Sequence, residues 1–328
     1  MKRIATTTGL YPLPDWAKSQ LREQKGRQRD DLISGNEGED VTATYDTARE
    51  EVIERQQAAE LDRIVEGQLR WDDMLCHPLA VHDAVEAGGI LRYYDNNNFY
   101  REMSVQGELT TTGDLATELN AAARIAPDDA RQAVLPGPCS LADLATDEYY
   151  GDEDAFLDAV AGFLAEEVRS CPAVETTLLL EPSLAVDPPP EQAETIDAIE
   201  TVAEAATGEV IVHTYWGTPS TGLYASLLDA SVDGVGLDLV TSASDVGALG
   251  REYGYPDATA FGVVDGQNTR IETAEEIDRL LDDALTDADM PNRAYLTINT
   301  EAFYLPFGRF DRKLAALADA VTPEEVAP

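Results

Sequence analysis

The sequence predicts an α/β fold, a single (β/α)8 TIM barrel formed by residues 1–328, on three observations. Short apolar runs recur along the chain, most of them followed by a stretch with helical periodicity. Those runs are apolar throughout instead of alternating, which is the pattern of parallel strands covered on both faces. The length, 328 residues, suffices to bury one large core. A doubly wound sheet is the structural alternative.

Taken in order, the candidate strands are Ile4–Thr8, Ile64–Gln68, Ala133–Pro136, Thr176–Glu181, Val210–His213, Gly234–Leu239, Ala260–Asp265 and Ala294–Asn299. Before the second strand, Asp46–Arg63 has the length and spacing of a helix, and Glu153–Arg169 has the same before the fourth. Ile196, Ile199, Val202, Ala203 and Ala206 share one helical face, which stops at Gly208. Thr273-Ala274-Glu275-Glu276 is a capping box ahead of Ile277, Leu280 and Leu281. A last helix around Arg312–Val321 closes the array. Two segments fall outside a minimal barrel. Gln24–Ala43 is polar and is expected to be a loop, and residues 88–112 are expected to be an inserted hairpin turning at Asp95-Asn96. Such an insertion is placed to cover a barrel mouth. The prolines at 188–190 predict a stiff loop, and no internal repeat or low-complexity tract is present.

Acidic residues number 63 against 23 basic, a formal charge of -40. Phosphates would be repelled, so nucleic acid and anionic membrane are excluded as partners. The acid is spread along the chain, as in proteins kept soluble at high salt, and a halophilic source with an acidic surface is expected. The N-terminal residues lack an apolar signal core and no run is long enough to span a bilayer, so a cytoplasmic location is expected. Cys76, Cys139 and Cys171 form no C-x-x-C pair, which points to incidental thiols instead of a disulfide framework or zinc ribbon.

In a barrel, function gathers where strands end. Those ends carry Thr7 and Thr8, Gln68 and Arg70, Glu181, His213 and Tyr215, Asp238, Asp265 and Gln267, and Asn299 and Glu301. Together they would make one polar, carboxylate-rich pocket. Each also has a structural explanation: His213 as a satisfied rim residue, Glu181 as a strand stop before Pro182, Asp265-Gly266 as turn chemistry. Trp71, Trp216 and the Tyr93-Tyr94 pair suit core or pocket wall. No phosphate loop, G-x-S-x-G elbow or H-E-x-x-H pair competes.

The strand-end motifs resemble those of the cobalamin-independent methionine synthases. Thr6-Thr7-Thr8-Gly9-Leu10-Tyr11-Pro12 is similar to that family's opening T-T-x-G-S-F-P, and Gly67-Gln68 with Asp73-Met74 to its G-E-x-x-R-x-D-M. Leu135-Pro136-Gly137-Pro138 resembles G-P-x-T, Leu180-Glu181-Pro182 resembles D-E-P, and Gly262–Asn268 resembles G-V-x-D-x-R-N. The resemblance implies a barrel that moves a methyl group to the thiol of homocysteine, in methionine biosynthesis. It also implies zinc held by His, Cys, Glu and Cys, where coordination makes the substrate thiol a usable nucleophile.

Here the sequence departs from that pattern. His213 matches the histidine and is the metal-ligand candidate, while Tyr215 holds the neighbouring cysteine's place. Asp238 stands near the glutamate's place, and Asn299-Thr300-Glu301-Ala302-Phe303 replaces N-P-x-C-G, so the zinc site is degenerate. Leu180 and Gln68 replace two acids that contact the amino acid. The pterin-stacking tryptophan is missing from Cys139–Asp143, which makes a folate donor doubtful. Tyr215-Trp216-Gly217 and Leu237-Asp238-Leu239-Val240 are closer to the Y-F-G and D-L-V of the metal-free N-terminal barrel of the long enzymes.

The resemblance therefore implies His213, Asp238 and Glu181 as catalytic candidates, with Thr8, Gln68, Arg70, Tyr215 and Asp265 binding a homocysteine-like substrate. Two alternatives stand beside a methyltransferase. One is a non-catalytic companion of a zinc-bearing methionine synthase barrel, and the other a zinc-independent barrel enzyme of the uroporphyrinogen decarboxylase type.

Overall fold

Strands buried on both faces pair in parallel here, as their continuous apolar character requires. The structure is a computed structural model that describes residues 1–23, 37–94, 98–188 and 192–321. Its strands are β1 (Lys2–Ala5), β2 (Val85–Arg92), β3 (Phe99–Val105), β4 (Gln132–Pro136), β5 (Ala145–Asp147), β6 (Thr176–Leu180), β7 (Glu209–His213), β8 (Gly234–Asp238), β9 (Ala258–Val264) and β10 (Arg293–Ile298). One seven-stranded sheet runs in the order β1-β10-β9-β8-β7-β6-β4. All its pairings are parallel. Every residue of β4, β6, β8 and β9 is buried.

The sheet curls until its edges β1 and β4 share one connecting segment. Asp62 and Arg63 donate their backbone N–H groups to Ala5 O at 3.1 Å. On the other side Ile64 pairs in parallel with Arg131, and Gln132 N donates to Ile64 O at 2.9 Å. The expected strand Ile64–Gln68 is thus reduced to a single bridge. Gly67 and Gln68 take positive φ, of 100° and 50°, which extended pairing cannot accommodate. A side chain takes over the lost ladder: Gln56 Oε1 accepts from Val65 N at 2.9 Å and Gln56 Nε2 donates to Val65 O at 2.8 Å.

Helices lie between the strands at Glu39–Ala58, Asp114–Ala122, Glu153–Ser170, Gln192–Ala203, Thr221–Asp229, Leu239–Tyr253, Ala274–Leu285 and Phe307–Val321. The capping box forms, with Thr273 and Glu276 each bonding the other's backbone N–H. The first long helix begins at Glu39, not Asp46, so residues up to Ala43 are helical instead of loop. Its buried Val41, Tyr45, Ala48 and Val52 follow helical spacing, but buried Thr44, Arg49 and Gln56 interrupt the stripe and mask it in sequence. It ends at Ala58 because residues 62–64 are needed to close the barrel. Residues 24–36 of the expected loop, the Asp95-Asn96 turn and Pro189-Pro190 lie outside the described residues.

The inserted hairpin is present: β2 and β3 pair antiparallel, and β5 adds in parallel to β3. It leaves Ile90, Leu91 and Phe99 exposed on its arms. No helix among the described residues is long and apolar enough to cross a membrane.

Candidate functional site

The C-terminal strand ends face one side of the barrel, and the strand order places β7 beside β8 there, with β10 beyond the intervening β9. His213, the last residue of β7, is fully buried. Its Nε2 lies 3.0 Å from the carbonyl of Asn299; a carbonyl only accepts, so Nε2 carries the proton. Nδ1 is buried without a partner and is turned toward Gly236, where any side chain would collide with it. Burial lowers the pKa of His213, against opposing pulls from the Asn299 carbonyl and Asp238. The ring is a neutral strut across the barrel.

Asp238 ends β8 and caps the helix Leu239–Tyr253. One oxygen accepts from Val240 N at 2.9 Å and Thr241 N at 3.1 Å. The other accepts from Thr241 Oγ1 at 2.7 Å and Trp216 N at 3.1 Å. Asn299 Nδ2 reaches both at 3.2 Å. Its lone pairs are committed.

Whether this constellation suits zinc can be judged from its donors. A ligand needs a free lone pair aimed at the metal. His213 offers a protonated Nε2 and a blocked Nδ1, and Asp238 is saturated. Tyr215 stands in the thiolate position with its hydroxyl 3.3 Å from Met74 Sδ, and buried Ala302 stands in the other. Among the described residues no group of three His, Cys, Asp or Glu side chains could hold a metal ion. The residues present do not fit the zinc that the sequence motifs imply.

Glu181 follows β6 and is fully buried. Its two oxygens accept from Cys139 N at 2.9 Å and Ser140 N at 2.7 Å, at the start of the short helix Pro138–Asp143. Burial pushes its carboxyl up to about 7, with the Ser140 and Cys139 donors pulling it back.

The remaining sequence candidates are divided by the fold. Gln68 accepts from Leu10 N at 2.8 Å and donates to Val134 O at 2.9 Å, tying the segment after β1 to the middle of β4. Gly9, at φ 79°, is packed so closely against Gln68 that a side chain there would collide. Thr8 donates its hydroxyl to Thr300 O. Asp265 holds its own turn by accepting from Gln267 N at 2.9 Å. Arg70 leaves the strand-end group altogether: it pairs with Glu37 and Glu118, each at 2.8 Å, and lies over the Tyr45 ring.

Other residues at the mouth, noted in the sequence without a catalytic or binding role, gain one from their contacts. Asp73 accepts from Leu75 N at 2.9 Å, Cys76 N at 2.6 Å and the Tyr93 hydroxyl at 2.7 Å. Tyr93 and Tyr94, from the end of the hairpin arm, place their rings 5.8 and 6.4 Å from Trp216, which packs on Tyr215 at 4.8 Å. Tyr94 also donates to Asp143 at 2.9 Å, on the border of a cleft of about 680 Å³ beside the mouth. Glu301, just past β10, is 2% exposed; Oε1 accepts from Gln267 Nε2 at 3.2 Å, while Oε2 has no partner. Its strand-end position was visible in sequence, but that oxygen's isolation was not. For the tyrosines the signal was their place in the insertion.

The description "cobalamin-independent synthase, N-terminal domain" belongs to the family whose model matches residues 81–288. Among curated proteins, the methionine synthase of Sulfolobus acidocaldarius is 22% identical over 283 residues, covering 83% of this chain and 78% of that protein. The methionine synthase of Sulfurisphaera tokodaii is 24% identical over 285 residues, with the same coverage of 83% and 78%. In fold, a B12-independent methionine synthase from Shewanella, solved with selenomethionine, superposes with a TM-score of 0.73 at 19% identity, over 97% of this chain and 96% of that one. A putative vitamin-B12 independent methionine synthase from Listeria monocytogenes gives 0.72 at 16% identity, over 98% of each chain. With more than half of its length matched, the chain belongs to the cobalamin-independent synthase family, by that family's N-terminal domain.

Proposed function

We propose that this chain serves methionine biosynthesis, with a barrel mouth that takes a homocysteine-like amino-acid thiol as the acceptor of a methyl group. The observation that supports this reading is the extent of the likeness to methionine synthases, 83% of the chain in sequence and 97% in fold, which brings every barrel strand end into it. In this reading Glu181, Tyr215 and Asp265 line the substrate side. Thr8, Gln68, His213 and Asp238 shape the walls behind it, and Arg70 braces the flank. No zinc step is part of the proposal, because the donors do not fit the metal, and no folate donor is assigned.

A specific observation favours a second reading, a non-catalytic companion of a zinc-bearing barrel. The two thiolate positions hold Tyr215 and Ala302, and the hairpin beside the mouth exposes Ile90 and Phe99 at 59% and 46%. Metal analysis of the purified chain, with methyl transfer to L-homocysteine measured alone and beside a zinc-bearing family member, separates the two. Turnover by the isolated chain without stoichiometric zinc supports the first reading. Turnover that this chain only enhances in the mixture selects the second. If L-homocysteine neither binds nor is methylated in either setting, both readings fall.

A further inference from the structure

Glu301 is the barrel-mouth carboxylate that the fold leaves unfinished. Its Oε2 is buried without a hydrogen-bond partner, and so is the hydroxyl of the adjoining Thr300. A carboxylate removed from water is costly unless paired, and retaining one calls for a compensating group. The groups that face it do not compensate. From the loop after β9, Gln267 supplies one amide hydrogen bond to Oε1 at 3.2 Å. From the segment after residue 70 comes the carboxylate of Asp73, and Tyr304 and Tyr215 contribute phenols whose ionisation Glu301 opposes. Glu181 adds a further negative field at Tyr215. Besides the Gln267 amide, only the backbone N–H of Glu301 itself and the Thr300 hydroxyl favour its charged form; the rest of the surroundings are acids and phenols, and what would complete them is a cation.

We propose that Oε2 of Glu301 is the receptor for the protonated amine of the ligand, with the negative field of Asp73 behind it and Tyr215 nearby. This rests on the reading of the mouth as an amino-acid thiol site, and it names the group that holds the amine. The site takes ligands with a primary ammonium and rejects analogues that lack it. Glu301 in the empty protein keeps its proton to about 7 because of its burial. An arriving ammonium favours the carboxylate. Binding near neutrality therefore converts the protonated carboxyl of Glu301 and the free ligand ammonium into a carboxylate–ammonium ion pair, and the carboxyl proton leaves to solvent.

Titration calorimetry under reducing conditions at pH 7, in buffers of different ionisation enthalpy, reads affinity and proton release together. The probes are L-homocysteine, 4-sulfanylbutanoic acid, which lacks the ammonium, and 3-sulfanylpropan-1-amine, which keeps it but lacks the carboxylate. The expected result is proton release on L-homocysteine binding. Glu301→Gln should bind it at least tenfold more weakly and without release, and should be indifferent to loss of the ammonium. This near-isosteric change removes a buried acid, and its near-UV circular dichroism should match the parent. Undiminished L-homocysteine binding by Glu301→Gln overturns the assignment while leaving the substrate reading intact. Glu301-dependent binding of the amine probe without binding of L-homocysteine supports the receptor and overturns that substrate. If no probe binds, both are overturned.

Discussion

Asp238 and Glu301 both lie at the C-terminal ends of barrel strands and both are buried, with exposures of 0% and 2%. Asp238 accepts from two backbone amides of its own helix, a third at Trp216, a hydroxyl and the Asn299 amide. Glu301 accepts from one side-chain amide and leaves an oxygen empty. The difference teaches that burial and position at a barrel mouth do not by themselves mark a working acid. A carboxylate whose lone pairs are filled by its own fold is architecture, and one left open is available to a ligand. His213 belongs with Asp238 on the filled side, bonded to the backbone that carries Asn299.

Changes on the filled side should cost stability, and the largest effect is expected at Asp238. Asp238→Ala strands several buried donors at once and removes a helix cap, which should cost about 4 kcal/mol in urea unfolding. A loss below about 1 kcal/mol would mean that Asp238 is not the keystone its bonds suggest.

An intermediate effect should come through pH from the buried acids that burial keeps protonated. Glu66, whose two oxygens are buried without partners, Glu181 and Glu301 are all raised by burial from 4.5 to about 7. Each keeps its proton in the folded chain at pH values where the unfolded chain has released it. Folding therefore binds protons between about 4.5 and 7, and stability should fall as pH rises through that window, levelling above it. The loss should be roughly 2.5 kcal/mol for each of the three acids between pH 5 and pH 8 at constant high salt. Glu301→Gln should flatten part of that slope, whereas a slope unchanged in the variant would place Glu301 with Asp238.

The smallest expected effect sharpens the role of His213. A Cβ added at Gly236 would collide with Nδ1 and approach Cγ at 2.8 Å and the backbone Cα at 2.9 Å. Gly236→Ala should cost about 2 kcal/mol by thermal unfolding, because the ring has no free side to move to. If Gly236→Ala is neutral, the space against His213 is not as closed as the packing implies, and the imidazole regains a lone pair for chemistry.

Most of the barrel was legible in the residues because a strand covered on both faces must be apolar along its length. Thr176–Leu180, Glu209–His213 and Arg293–Ile298 each lie within one residue of the expected bounds. The second expected strand was not legible as the bridge it is. Ile64–Gln68 has a strand's composition, and only the long-range partners Ala5, Gln56 and Arg131 reveal how little of it pairs. The capping box was legible because both of its partners lie within one turn. For the site, sequence located His213, Asp238 and Glu181 at strand ends but could not see their bonds. Arg70 shows the same limit, since its partners Glu37 and Glu118 turn it away from the mouth.

By itself, then, the sequence determined the alternation of strand and helix, the presence of the hairpin and the identities of Tyr215 and Ala302, because each is written in local composition or in the identity of one residue. The tertiary structure alone decided which mouth acids are already satisfied. Hydrogen-bond partners such as Asn299 and Asp238, 61 positions apart, meet only when the sheet has curled. Whether a buried carboxylate holds the fold together or waits for a ligand depends on those meetings.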